Sequence, residues 1–183
     1  MEHEKALIGE LQNARGKWFK TLGPVLPAEM VGLWRGEDIP SDHPFDGVLE
    51  NLQWFGKRFH PDLRADALLF QWKPDRLVPL EPAAFPIRLA IRLAPLGRTF
   101  LARKLFSHVQ KVARAHGTTA KLTLRMVDGL ETTAMVYDKL PVIDVFGRVA
   151  ENEVAGMMVV DGDDRRYFFR LRKVIPSGSE GGV

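Results

Sequence analysis

From Thr119 to Val174 the chain repeats one pattern five times, an apolar and β-branched run followed by a turn. The runs are Lys121–Val127, Thr132–Tyr137, Val142–Val149, Val154–Val160 and Arg166–Val174. Asp128-Gly129 and Asp161-Gly162-Asp163-Asp164 supply turn chemistry between neighbouring runs. Connections this short allow antiparallel pairing, whereas a parallel crossover needs a dozen or more residues. The C-terminal part is therefore expected to be an antiparallel β-meander.

The preceding residues add helices and further strands. Leu7, Leu11, Trp18 and Leu22 recur at helical spacing from Glu4 to Leu22, and Gly23-Pro24 ends that pattern. Met30–Gly36, bounded by turn formers, reads as a strand. Phe45, Val48, Leu49, Leu52 and Phe55 share one face of a short helix over Phe45–Phe55. Ala67–Trp72 and Arg76–Leu80 flank Lys73-Pro74-Asp75 and read as a hairpin. Ile87–Leu93 alternates as a strand does, yet its Ala, Leu and Arg favour a helix. Helix is the reading adopted, because Arg98–Ala115 follows with Leu101, Leu105, Val109 and Val112 at helical period. The total is about eight strands, a number whose closed barrel is either filled by side chains or holds one small ligand.

With 183 residues, 45% hydrophobic and 27% charged, the chain suits one domain over 1–175, with a flexible Ser/Gly-rich tail at 176–183. The absence of cysteine excludes disulfides and thiolate chemistry. No apolar run is long enough to span a bilayer, and the mixed charges of Met1–Lys5 are unlike an export signal, so a cytoplasmic location is expected. The histidines show no metal-ligand spacing, and no nucleophile elbow, phosphate loop or dinucleotide fingerprint occurs. The expectation is no metal, no cofactor and no assigned catalytic residue.

Net charge is only +3, but its distribution is uneven: no acidic residue lies between Glu81 and Asp128. Arg88, Arg92, Arg98, Arg103, Lys104, Lys111 and Arg114 fall in the helical insertion at 86–115. Two readings stand side by side. The segment is a packed helix with a solvated cationic face, or a basic lid, centred on Arg88, Arg92, Arg103 and Lys104, attracted to an anionic membrane or phospholipid head group. Nucleic acid fits poorly, since only Phe100 and Phe106 interleave with the charges.

Gly32-Leu33-Trp34-Arg35-Gly36 resembles the pentapeptide of the bacterial GXWXG protein family. Downstream, Ala134-Met135-Val136-Tyr137-Asp138, Pro141-Val142-Ile143-Asp144-Val145-Phe146, Gly156-Met157-Met158 and Tyr167-Phe168-Phe169 resemble the domain of unknown function that usually follows it. The two segments, 17–75 and 118–174, flank a stretch at 76–117 that includes the helical insertion. A basic residue directly after Asp-x-Phe is usual in that family; here Gly147 precedes Arg148. The resemblance implies a small bacterial protein and transfers no catalytic residue. At fold level the chain is similar to lipocalin-like, fatty-acid-binding barrels. That likeness implies an α+β fold with an antiparallel barrel-like sheet, an N-terminal helix and a helical cover, and a plug in which Trp34 stacks with Arg170 or Arg172.

Along Val142–Val149, Val142, Asp144, Phe146 and Arg148 share one strand face, and Ile143, Val145 and Val149 the other. If the fully apolar face is the core, Asp144 and Arg148 form an exposed ion pair; if the barrel is hollow, they face its lumen. Asp138, before Lys139-Leu140-Pro141, suits a turn-capping role. Trp34, Tyr137, Asp144, Phe146, Arg148, Met158 and Phe168 are the candidate ligand-binding residues. Their expected partner is a hydrophobic or amphipathic small molecule such as a fatty acid or phospholipid. An enzyme using Asp138, Asp144, Tyr137 or a histidine as acid and base is the alternative, and a structural or interaction module a third; the sequence leaves monomer and homodimer open.

Overall fold

The computed structural model describes residues 2–176, with side chains from Gly9 onward except at 107. Nine strands form one antiparallel sheet: β1 (Gly32–Ile39), β2 (Trp54–Phe59), β3 (Arg64–Lys73), β4 (Arg76–Pro79), β5 (Ala120–Val127), β6 (Leu130–Tyr137), β7 (Val142–Ala150), β8 (Glu153–Val160) and β9 (Asp163–Lys173). Their order is β2-β1-β9-β8-β7-β6-β5-β3-β4, and an additional β2–β3 pairing closes the ring. The result is an eight-stranded antiparallel barrel, with β4 as an extra strand paired only to β3. Among the described residues four α-helices accompany it: α1 (Glu2–Phe19), α2 (Val48–Asn51), α3 (Ile87–Leu93) and α4 (Phe100–Val112). Of the tail expected at 176–183, all but Pro176 lies outside the described residues.

The five-strand meander forms with the expected connections. Asp128 and Gly129 both adopt left-handed backbone, at φ 51° and 85°, which matches the twist of the strands they join. The helix at Ile87–Leu93 also forms.

Two expectations are corrected. The helix read over Phe45–Phe55 shrinks to the single turn of α2, because Gly47 (φ 75°) and Gln53 (φ 65°) bound it with left-handed backbone. Trp54–Phe59 then becomes β2, a barrel strand hidden in the sequence by its central Gly56-Lys57-Arg58. The sequence-based total of eight thus included β4, which stands outside the ring, and omitted β2.

Alternation along the strands divides the buried apolar residues into two layers. Inside the barrel lie Phe59, Met135, Phe146, Met158, Phe169 and Leu171 among others. On the outer face Val145, Met157 and Phe168 pack with Phe19, under the end of α1. Gln12 of α1 ties this layer to β9, donating to the Arg166 carbonyl and accepting from the Arg166 N–H, each at 3.0 Å.

One barrel end is closed by the segment 23–31. Val25 hydrogen-bonds to Thr132 and Thr133 of β6, and a 3₁₀ turn at Pro27–Met30 places the Met30 carbonyl 2.6 Å from Trp34 Nε1. The cation over Trp34 is Lys173, 5.5 Å from the ring, and not Arg170 or Arg172. Cross-strand register places Trp34 opposite Lys173, while Arg170 and Arg172 pair with Glu153 and Arg172 also with Glu37. Gly36 of the pentapeptide leaves room for an indole: a Cβ there would sit 2.3 Å from the Trp54 ring. The opposite end is covered by the residues around α2, α3 and α4.

Candidate functional site

Aromatic rings fill the closed half of the barrel. Phe59 meets Phe146 edge to face at 5.7 Å, and Phe169 meets both Phe146 and Trp54 edge to face. Toward the helical cover this packing stops, and a cavity of about 260 Å³ remains. Its walls come from the strands (Leu68, Phe70, Val142, Met158) and from the cover (Leu49, Ile87, Ala90, Phe106). The walls are almost entirely apolar, as ligand pockets commonly are.

Besides Tyr167, three polar side chains break that surface. Lys57 of β2, Tyr137 of β6 and Asp144 of β7 all line the cavity, and all are buried. Lys57 Nζ lies 2.8 Å from Asp144 Oδ2, donates to the Ala67 carbonyl at 3.0 Å, and reaches the Tyr137 hydroxyl at 3.4 Å. The Tyr137 hydroxyl donates to the same Asp144 oxygen at 3.2 Å. Burial, reinforced by the neighbouring Asp144, pushes the Tyr137 phenol well above its usual range, so it remains a donor. The rings of Phe169, Trp54 and Tyr137 lie 5.1–5.8 Å from the ammonium and surround it with π faces. Asp144 Oδ1 meets no hydrogen-bond donor among the described residues.

A second polar pair adjoins the wall. Tyr167, which lines the cavity, donates its hydroxyl to Asp38 of β1, and Asp38 also accepts the Gly47 N–H at 2.6 Å. Burial raises the Asp38 carboxyl to about 6, despite the hydrogen bonds from Tyr167 and Gly47; nearby Glu50 and Asp46 push the same way. His43, packed against the Tyr167 ring at 5.5 Å, is held down at about 4, chiefly by burial and further by Arg165.

The structure places the sequence-derived candidates as follows. Tyr137, Asp144 and Met158 line the cavity. Trp34 and Phe146 are interior packing residues of the barrel and do not line it. Phe168 is one position out of phase: it belongs to the outer layer beneath α1, and Tyr167 and Phe169 take the inner face. Arg148 is an exterior residue, bound to Glu29 at 2.7 Å, so of the two readings left open neither the exposed Asp144–Arg148 pair nor a lumen-facing Arg148 holds, while Asp144 does face inward. Asp144 instead meets Lys57 inside, and the apolar face carrying Val145 turns outward.

Asp138 does not cap a turn with its carboxylate; that group pairs with Arg64, which holds it below the usual carboxylate range. It does not line the cavity, so Asp138 and Asp144 do not converge there as an acid and base. Arg88, Arg92, Arg103 and Lys104 are all exposed on α3 and α4. Lys57, Asp38, His43 and Tyr167 were not singled out from sequence. The one signal pointing to Lys57 was Asp144 itself, since a carboxylate buried in a barrel requires a cationic partner.

The fold and its interior define an eight-stranded β-barrel protein with an apolar cavity floored by a lysine, an aspartate and a tyrosine. Residues 17–73 match the GXWXG protein family and residues 118–173 match the Domain of unknown function (DUF4334), in that order along the chain. A crystal structure of a protein from Thermomonospora curvata aligns with 96% of this chain and 100% of its own, at 24% identity and a TM-score of 0.63, and so shares the barrel fold. No curated protein matches the chain. No helix among the described residues is long and apolar enough to cross a membrane.

Proposed function

We propose that the barrel binds one hydrophobic or amphipathic small molecule in the cavity beneath α3 and α4. The observation that carries this reading is the contrast within one interior: rings fill the closed half, while the covered half keeps a cavity of about 260 Å³ with apolar walls. An unfilled apolar space forfeits packing, at roughly 24 cal/mol per Å³ in core-truncation series, so a cavity of this size is costly to a fold with no use for it.

The size favours a single-chain or compact ligand over a whole two-chain phospholipid. The floor favours a neutral polar group over a free carboxylate. Lys57, the cation that would attract a carboxylate, is already neutralised by Asp144 and has acceptors for its three N–H groups. Asp144 Oδ1 is the acceptor left over, and a hydroxyl or amide N–H of a ligand supplies its missing donor after a small shift of the floor.

Native mass spectrometry tests the reading. Protein purified under mild conditions, and protein stripped and then challenged with a mixture of long-chain alcohols, monoacylglycerols and fatty acids, should retain one small molecule per chain. The uncharged species are expected to outcompete the acids. A folded sample that retains none of them would contradict the proposal.

A further inference from the structure

Helix α4 does not bury the residues its sequence marks for burial. Its inner face seats Phe106 between Phe70 and Phe85, at ring distances of 5.0 and 6.1 Å, with Gln110 and Ala113 buried beside it. Leu101, Leu105 and Val112 point away from the barrel and are 74%, 65% and 87% exposed. Spaced by four and seven residues, they form one stripe along the helix. Leu96 and Phe100, just before and at the start of α4, are exposed as well. Soluble surfaces carry scattered apolar residues, but a helix that lines up several apolar side chains on its outward face is arranged for a partner.

Charge identifies the kind of partner. Arg88 and Arg92 on α3, and Arg103, Lys104 and Lys111 on α4, are exposed on the same helical cover, and residues 82–127 contain no carboxylate. Lys104 lies 4.8 Å over the Phe100 ring, so cation and apolar surface are presented together. A second copy docking through the same face would bring two cationic surfaces into contact. An anionic bilayer complements both features, its head groups taking the cations and its acyl boundary the leucines. The stripe and the cavity share one cover: Ile87, Ala90 and Ala94 of the α3 region and Phe106 of α4 form the cavity wall on its reverse side.

We infer that the α3–α4 cover docks on the surface of an anionic membrane, with Leu101, Leu105 and Val112 entering the interface. This rests on the cavity reading in one respect only: docking there sets the cavity, with its apolar cargo, one helix away from the lipid.

Co-sedimentation of the full chain with vesicles of phosphatidylcholine alone, or of phosphatidylcholine mixed with phosphatidylglycerol, tests the inference. Binding is expected to the mixed vesicles, to weaken with added salt, and to fall roughly twenty-five-fold when Lys104 and Lys111 are both changed to Ala, at about fivefold per cation. L101D/L105D, at exposed positions, should abolish it while circular dichroism stays unchanged. Equal binding to both vesicles, or to neither, overturns the inference. So does concentration-dependent self-association that L101D/L105D removes, since the stripe would then be a contact between copies. Binding of the neutral dye N-phenyl-naphthylamine without vesicles should be the same in L101D/L105D and wild type, so the cavity reading stands or falls on a separate readout.

Discussion

Lys57 and Asp144 meet at 2.8 Å inside the barrel, with side chains only 2% and 1% exposed. Both charges have left water, and their mutual attraction together with Ala67 and Tyr137 offsets the desolvation. Removing one member strands the other. D144N and K57M should therefore each destabilise the fold by about 3–5 kcal/mol, whereas the double substitution K57M/D144L should recover most of that loss. Urea denaturation of the three variants measures it; additive losses in the double variant would show that the pair is not the coupled unit described here.

Gly36 and Trp54 form a second dependent pair. A methyl group at position 36 would stand 2.3 Å from the indole, and the strand pairings of β1 leave little room to move. G36A is expected to cost about 1–3 kcal/mol, the range of overpacked cores. Adding W54L should return part of the loss, and thermal melts of the single and double variants decide the matter.

Asp38 and His43 set opposing pH dependences. The Asp38 carboxyl is raised to about 6, so between its ordinary value and 6 the folded chain holds a proton that the unfolded chain has released, and stability falls as pH rises through that window. His43 is held down at about 4, so between 4 and its ordinary value the unfolded chain holds the extra proton, and stability falls as pH drops. The two largely offset each other between pH 4 and 6. D38N removes the first contribution alone, so its stability relative to wild type should improve as pH goes from 4 to 7. A difference that is flat with pH would place Asp38 outside the linkage.

The barrel was largely legible and its interior was not. Turn residues such as Asp128-Gly129 and the alternating runs after Thr119 encode the meander locally, and sequence alone located those strands. β2 escaped because its inward residue is a lysine and its centre a glycine with φ 143°, which together erase the period that marks a half-buried strand. The same lysine left the reading of β7 open: with Lys57 unseen, nothing chose between an inward and an outward face for Asp144, and Arg148 was the nearest cation in sequence. Phe168 was misplaced for a related reason. Where helix α1 covers the barrel, both faces of β9 are apolar, and alternation no longer tells lumen from exterior. On α4 the helical period was right and the buried face wrong, since both faces carry apolar side chains and only the seating of Phe106 chooses between them.

The most direct test of the account fills the cavity from its own wall. Ala90 of α3 lines it, and A90W would place an indole where a ligand is proposed to lie. Fluorescence titration with N-phenyl-naphthylamine should show saturable binding at one site per chain in wild type, and loss of that binding in an A90W variant that remains as folded as its parent by circular dichroism. Undiminished dye binding by folded A90W, or no binding by wild type, would contradict a ligand site inside the barrel.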